Sequence, residues 1–130
     1  MSGENSDDDV YRRQNFGNAS GIGKRCALIL VDFVNGFVDA EQFGGPHIAA
    51  AVESTIPLLA AFRQAGLPVV HTRVVFADDG ANKNVFCIKV PPLLQLTEHA
   101  HGSQTVPQLA PVSGELVQRK TSASAFFSTG

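Results

Sequence analysis

The sequence holds no tryptophan, one tyrosine, one methionine and two cysteines among its 130 residues. Cys26 and Cys87 are too few for a disulfide framework and have no paired spacing for zinc, which excludes the small cross-linked secreted scaffolds. Charge of one sign is also lacking: 10 basic against 12 acidic residues leave a formal net charge of −2, with no basic stripe and no aromatic residues interleaved with basic ones. Nucleic acid is therefore not an expected partner. No apolar run approaches the roughly 18 residues of a membrane-spanning helix, and Glu4, Asp7, Asp8 and Asp9 stand where a secretory leader would be basic and then apolar. The expectation is a cytoplasmic protein with no membrane partner.

What is present suits one small α/β domain: 44% hydrophobic and 17% charged residues, with a mean hydropathy of +0.05 that is slightly apolar for a free surface. Residues 1–23 are polar and glycine-bearing and read as a flexible arm that packs only through Tyr11 and Phe16, leaving 24–130 as the folded part. From Cys26, CALILVDF is continuously apolar up to Asp32, which predicts a buried parallel strand. IAAAVESTIPLLAAFRQAG places Ile48, Val52, Ile56, Leu59 and Phe62 at helical spacing, with Pro57 demanding a kink or a local break and Gly66 standing as the C′ glycine. LPVVHTRVVF predicts the second strand, and strand, helix and strand at this length form a βαβ unit. Residues 77–111 are punctuated by Gly80, Pro91, Pro92 and Pro107 and read as an excursion with a short helix near Val90–Leu96; ELVQRK, ending at Lys120, is the third strand.

In an open parallel sheet, ligands bind outside the carboxyl ends of the strands. Asp32 ends the first strand and serves there either as a loop cap or as a chemical carboxylate; Lys120 ends the third, either as a solvated edge lysine or as its partner. A pair of this kind can shuttle protons or depress the pKa of a neighbouring thiol. Arg119 falls on the opposite face by the two-residue period of strands. Arg73 interrupts an apolar strand and either aims a guanidinium at an anionic substrate group or, the more ordinary arrangement, forms an ion pair. His47, His71, His99 and His101 show no i, i+4 pair, so no metal site is expected from them. Gly17, Gly21 and Gly23 precede the first strand instead of linking a strand to a helix, and Lys24 is followed by Arg25, which rules against a phosphate loop. Cys26 reads as an inert core thiol, and nothing near Cys87 marks it as a nucleophile.

LILVDFVNGFVD, then a helix, PVVHTRVVF, and a strand delivering the lysine of RKTSASAFFSTG resemble the isochorismatase-like cysteine hydrolase superfamily, and YRRQNFGNASGIGKRCALILVDFVNGFVD resembles its branch of N-carbamoylsarcosine and maleamate amidohydrolases. The resemblance implies a three-layer, doubly wound, mostly parallel sheet. It also implies a catalytic Asp, Lys and Cys, of which the first two carry over to Asp32 and Lys120. The family's cysteine belongs to a later strand-to-helix turn, beyond Gly130, and neither Cys26 nor Cys87 stands in its motif; the chain is thus expected to be the N-terminal part of a longer, homo-oligomeric enzyme. The implied reaction is hydrolysis of a small carboxylate-bearing amide through a thioester, without a cofactor. Nicotinamidases in this superfamily carry Asp-x-His after the second strand where this sequence has Val74, Val75 and Phe76. A metal-free pocket wall that includes Phe37 and Phe76 is the expectation, with Arg73 as a further substrate-side candidate. The competing expectation is a non-catalytic binding module that keeps the α/β half-sheet.

Overall fold

The computed structural model describes residues 7–15 and 17–130. Three parallel strands, β1 (Leu28–Leu30), β2 (Val69–Val74) and β3 (Leu116–Lys120), form a sheet in the order β1-β2-β3. Leu28–Leu30 pair with Val69–His71, and Val70–Val74 pair with Leu116–Lys120, so all three strands end at one edge. The α/β parallel architecture is the one expected. The strands are shorter than the apolar runs suggest: Asp32 turns into the left-handed region (φ 59°) and ends β1, and Phe76 leaves β2 to bridge Thr97.

The other helical segments described are α2 (Asn35–Val38), α3 (Ile48–Gln64), α4 (Val85–Lys89), and 3₁₀ turns at Pro91–Gln95 and His101–Ser103; a third such turn, Pro107–Leu109, packs with α3. The segment read as an unstructured arm contains α1 (Asp7–Arg13), acidic in sequence at its start and with Arg12 and Arg13 in its last turn, an order that suits the helix dipole. Tyr11 is largely exposed, and Phe16 lies outside the described residues. The helix expected near Val90–Leu96 is displaced. Asn84 accepts from Phe86 N at 3.0 Å and starts α4 earlier, and Pro91 and Pro92 cannot continue it, so the chain resumes as a 3₁₀ turn.

One core lies between the sheet and α3, where Val52 and Leu59 are buried against Leu30, Val69, Val106 and Leu109, each contributing about 1.5–3 kcal/mol by burial. Ile56 and Phe62 flank them as the helical spacing predicts, α3 continues through Pro57, and Gly66 adopts the left-handed C′ conformation (φ 64°). A second core of Val74, Phe76, Cys87 and Leu96 packs on Phe37 and Leu93 beyond the strand ends. Gly36 lets α2 lie against the His101–Ser103 turn: a Cβ there would sit 3.1 Å from the Gly102 carbonyl oxygen.

A buried polar cluster fastens α3 to the sheet. Arg63 donates from Nε and one terminal nitrogen to the two Glu115 oxygens at 2.7 and 2.9 Å, and His71 Nε2 lies 2.7 Å from Glu115 Oε2. With Nε2–H donating, His71 Nδ1 is a buried lone pair without a partner among the described residues. The Arg63 hydrogen bonds, opposed by burial and helped by His71 and the Val112 N–H, hold the Glu115 carboxyl at about 2 against an ordinary 4.5. A carboxylate with a depressed folded pKa contributes stability that is present in full above about 4.5 and lost as pH falls toward 2. Glu115→Gln is expected to cost about 1–3 kcal/mol at neutral pH and to flatten the fall in stability between those two pH values. Denaturant melts across that range measure both effects, and parallel wild-type and variant curves would show that Glu115 is not the group responsible.

The opposite face of the sheet is apolar and open. Ile29, Val31 and Leu116 are each about half exposed, and Phe126 stands 90% exposed beside a shallow groove lined by Ile29, Val70 and Leu116. The 130-residue chain is expected to self-associate through this face and the outer edges of β1 and β3. Sedimentation of that polypeptide as a monomer with a cooperative melt would overturn the expectation.

Candidate functional site

The parallel register brings the ends of all three strands together. Leu30 pairs with His71, so the Val31–Asp32 turn falls beside Thr72, and Val74 pairs with Lys120. Thr72, Val74 and Lys120 share one face of the sheet by the two-residue period of strands. Asp32 takes its left-handed backbone at the point where β1 stops, a conformation that Asp tolerates better than most residues and that clusters at functional sites.

Lys120 Nζ donates to Asp32 Oδ2 at 2.7 Å and to the Ala123 carbonyl at 2.8 Å. The lysine side chain is 3% exposed and the aspartate 17%, so the carboxylate faces the opening while the ammonium lies beneath it. An ammonium so deeply buried is tolerable only because it is paired and hydrogen-bonded. Its third proton has no acceptor among the described residues and remains available to a negatively charged group. Thr72 holds the other carboxylate oxygen: its hydroxyl donates to Asp32 Oδ1 at 2.6 Å and accepts from the Asp32 N–H at 3.1 Å.

Asp32 and Lys120 line a cleft of about 170 Å³ whose walls are Phe37, Val74, Phe76, Phe86 and Leu93, with Thr121, Ser122 and Ala123 at the β3 side. A wider, more polar opening of about 470 Å³ meets it at Phe76, Lys120 and Thr121 and is bordered by Asp78, Asn82, Glu98 and Arg119. The smaller cleft contains both members of the ion pair. Asn84 donates to the Thr121 carbonyl at 2.6 Å and so ties the start of α4 to the end of β3, joining two of the walls.

The structure brings Asp32, Lys120, Phe37 and Phe76 into one cleft. Arg73 lies elsewhere. Its guanidinium is buried on the opposite face, donating to the Ser103 carbonyl at 2.6 Å, the Glu98 carbonyl at 3.0 Å and Glu98 Oε1 at 3.3 Å, so the ion-pair alternative describes it and the substrate-side assignment is dropped. Glu98 also meets Arg119 at 3.1 Å; burial raises its pKa, but the two guanidinium groups outweigh that and lower it overall. Arg119 is exposed on the face away from Lys120, as the strand period requires. Cys87 is buried in the second core with Sγ 3.8 Å from Asn84 Oδ1, and neither it nor Cys26 lines the cleft. Among the described residues no group of three or more His, Cys, Asp or Glu is placed to hold a metal ion. Thr72 is the participant that sequence reasoning missed, because a threonine within a β-branched strand reads as strand propensity alone.

A carboxylate and a buried ammonium meet at the carboxyl ends of the parallel strands of this α/β fold and open on an aromatic cleft. Comparison with known proteins identifies the family. The Isochorismatase domain family matches residues 26–130, and the chain belongs to the isochorismatase family. It is 35% identical over 135 aligned residues to maleamate amidohydrolase of Pseudomonas putida, covering 99% of this chain and 61% of that protein, and 30% identical over 125 to N-carbamoylsarcosine amidase of Arthrobacter sp., covering 90% and 46%. The chain thus spans about half to three fifths of the length of these relatives. Among solved structures, a cysteine hydrolase from Pseudomonas syringae superposes with a TM-score of 0.74 at 27% identity, covering 79% of this chain and 49% of that one. N-carbamoylsarcosine amidase from Thermoplasma acidophilum superposes at 0.67 and 25%, covering 82% and 57%.

If Asp32 and Lys120 act as one unit, their substitutions are not additive. Lys120→Met, which strands the carboxylate, is expected to cost about 3–5 kcal/mol of unfolding free energy. Combined with Asp32→Asn it should fall short of the summed single effects by about 0.5–3 kcal/mol. A double-mutant cycle by chemical denaturation measures this coupling, and strict additivity would show the two groups to be independent.

Proposed function

We propose that the chain supplies the Asp–Lys half of a cysteine amidohydrolase that cleaves the C–N bond of a small carboxylate-bearing amide of the maleamate or N-carbamoylsarcosine type, releasing ammonia. The observation that carries this reading is the 2.7 Å contact between Lys120 Nζ and Asp32 Oδ2 in an apolar cleft at the strand ends. The names of the two curated relatives supply the substrate class. The nucleophilic thiol comes from polypeptide outside residues 1–130, consistent with the greater length of those relatives. Val74 and Phe76, which line the cleft, carry no ligating atoms, and this favours chemistry without a metal at that wall.

Each group then has one task. The thiol gives its proton to Asp32, and the thiolate adds to the amide carbon. Asp32 passes that proton to the departing nitrogen, and ammonia leaves a thioester. Asp32, ionised again, takes a proton from water as the water attacks the thioester, and the thiol is regenerated with the carboxylic acid product. Lys120 keeps the carboxylate in place and, through its remaining proton, offsets charge on the thiolate. Phe37, Phe76 and Phe86 exclude water from a cleft in which these interactions are stronger than in solution.

The full-length protein is expected to release ammonia from maleamate or N-carbamoylsarcosine, and Asp32→Asn to lower kcat by about 10²–10⁴ with the fold retained by circular dichroism. Turnover near the wild-type rate in Asp32→Asn would remove Asp32 from the reaction.

A further inference from the structure

Thr72 is 2% exposed, and its hydroxyl is fully committed to one residue. It accepts the Asp32 N–H at 3.1 Å and donates its own proton to Asp32 Oδ1 at 2.6 Å. A hydroxyl has a single proton, and here the lone pair that faces the Asp32 amide is occupied, so the direction of donation is set. The result is a small ring: Asp32 backbone nitrogen, threonine oxygen, Asp32 carboxylate. The ring spans a left-handed residue (φ 59°) that local preference alone would hold poorly.

The two carboxylate oxygens thus have different fixed donors. Oδ1 is held by a neutral hydroxyl from β2, and Oδ2 by the ammonium from β3 at 2.7 Å. Two donors on two oxygens define the plane of the carboxylate, whereas one donor leaves it free to rotate about its terminal torsion, whose minimum is broad. Lys120 alone would be such a single donor, and it reaches the carboxylate on a flexible four-carbon stem. The rigid, β-branched threonine in the central strand is what removes the remaining rotation.

We infer that Thr72 is a positioning residue: it locks the backbone and the carboxylate plane of Asp32 so that the lone pairs left over face the cleft where proton transfer takes place. The inference rests on the function proposed for Asp32 and adds a determinant of its efficiency. A misaligned base loses rate without losing substrate, so the effect falls on kcat and leaves KM nearly unchanged. Thr72→Val keeps the shape and β-branching of the side chain and deletes the hydroxyl; Thr72→Ser keeps the hydroxyl.

Two readouts on the full-length protein test the inference. The first is amide hydrogen exchange at Asp32, which needs no turnover: protection is expected to drop in Thr72→Val and return in Thr72→Ser. The second is ammonia release from maleamate and from N-carbamoylsarcosine, where Thr72→Val is expected to lower kcat by about 10- to 100-fold with little change in KM, and Thr72→Ser to restore most of it. Unchanged exchange, unchanged kcat beside an inactive Asp32→Asn, or a serine variant as impaired as the valine one would each overturn the role of Thr72 while leaving the proposed function standing. If Asp32→Asn remains active, or neither amide is hydrolysed, it is the function that fails, and hydrogen exchange still decides whether the clamp exists.

Discussion

The ion pair between Lys120 and Asp32 is the constraint around which the rest of the strand ends is arranged. A lysine with 3% of its side chain exposed needs partners at hydrogen-bond distance, and Asp32, just past the end of β1, supplies one. The two meet because β1 and β3 flank β2 in parallel, in a register that ends all three strands at one edge. The Ala123 carbonyl supplies a second acceptor, which bends the chain back just after β3. The turn at Asp32 and the bend after Lys120 are thus two sides of one requirement, that a buried cation be surrounded by oxygen.

The two polar clusters of the sheet answer different needs. Arg63, Glu115 and His71 lie on the α3 face and toward the amino ends of the strands, where they fasten a helix to the sheet and hold the Glu115 carboxyl to about 2. Asp32, Thr72 and Lys120 lie on the other face and at the carboxyl ends, where Asp32 and Lys120 open on a cleft. Glu115 accepts four hydrogen bonds from three residues and is closed off, as a structural carboxylate should be. Asp32 has two side-chain donors and an open side, which leaves room for a proton to arrive and depart.

Asp32 was legible in the sequence because it follows an apolar run and Lys120 because it closes the strand ELVQRK, and the end of a buried parallel strand is a place whose surroundings can be anticipated. Phe37 and Phe76 were legible through the resemblance, and Val52, Leu59 and Gly66 through helical spacing and capping. Residues 77–111 were not. They are built from proline-led 3₁₀ turns and from side chains bonded to the backbone, such as Ser103 to the Ala100 carbonyl and Gln104 to the Glu98 carbonyl, which leave no periodic trace. The substrate-side alternative for Arg73 had the same source, since its true partners, Glu98 and Ser103, belong to that segment and no pattern in β2 points to them.

The position of β2 in the middle of the sheet has a topological consequence. Within the described sheet β1 and β3 pair only with β2, and the connections that join the strands, 31–68 and 75–115, are of similar length. Asp32 meets Thr72 across the first connection, while its contact with Lys120 spans both. One carboxylate thus ties together two separate crossovers of the chain.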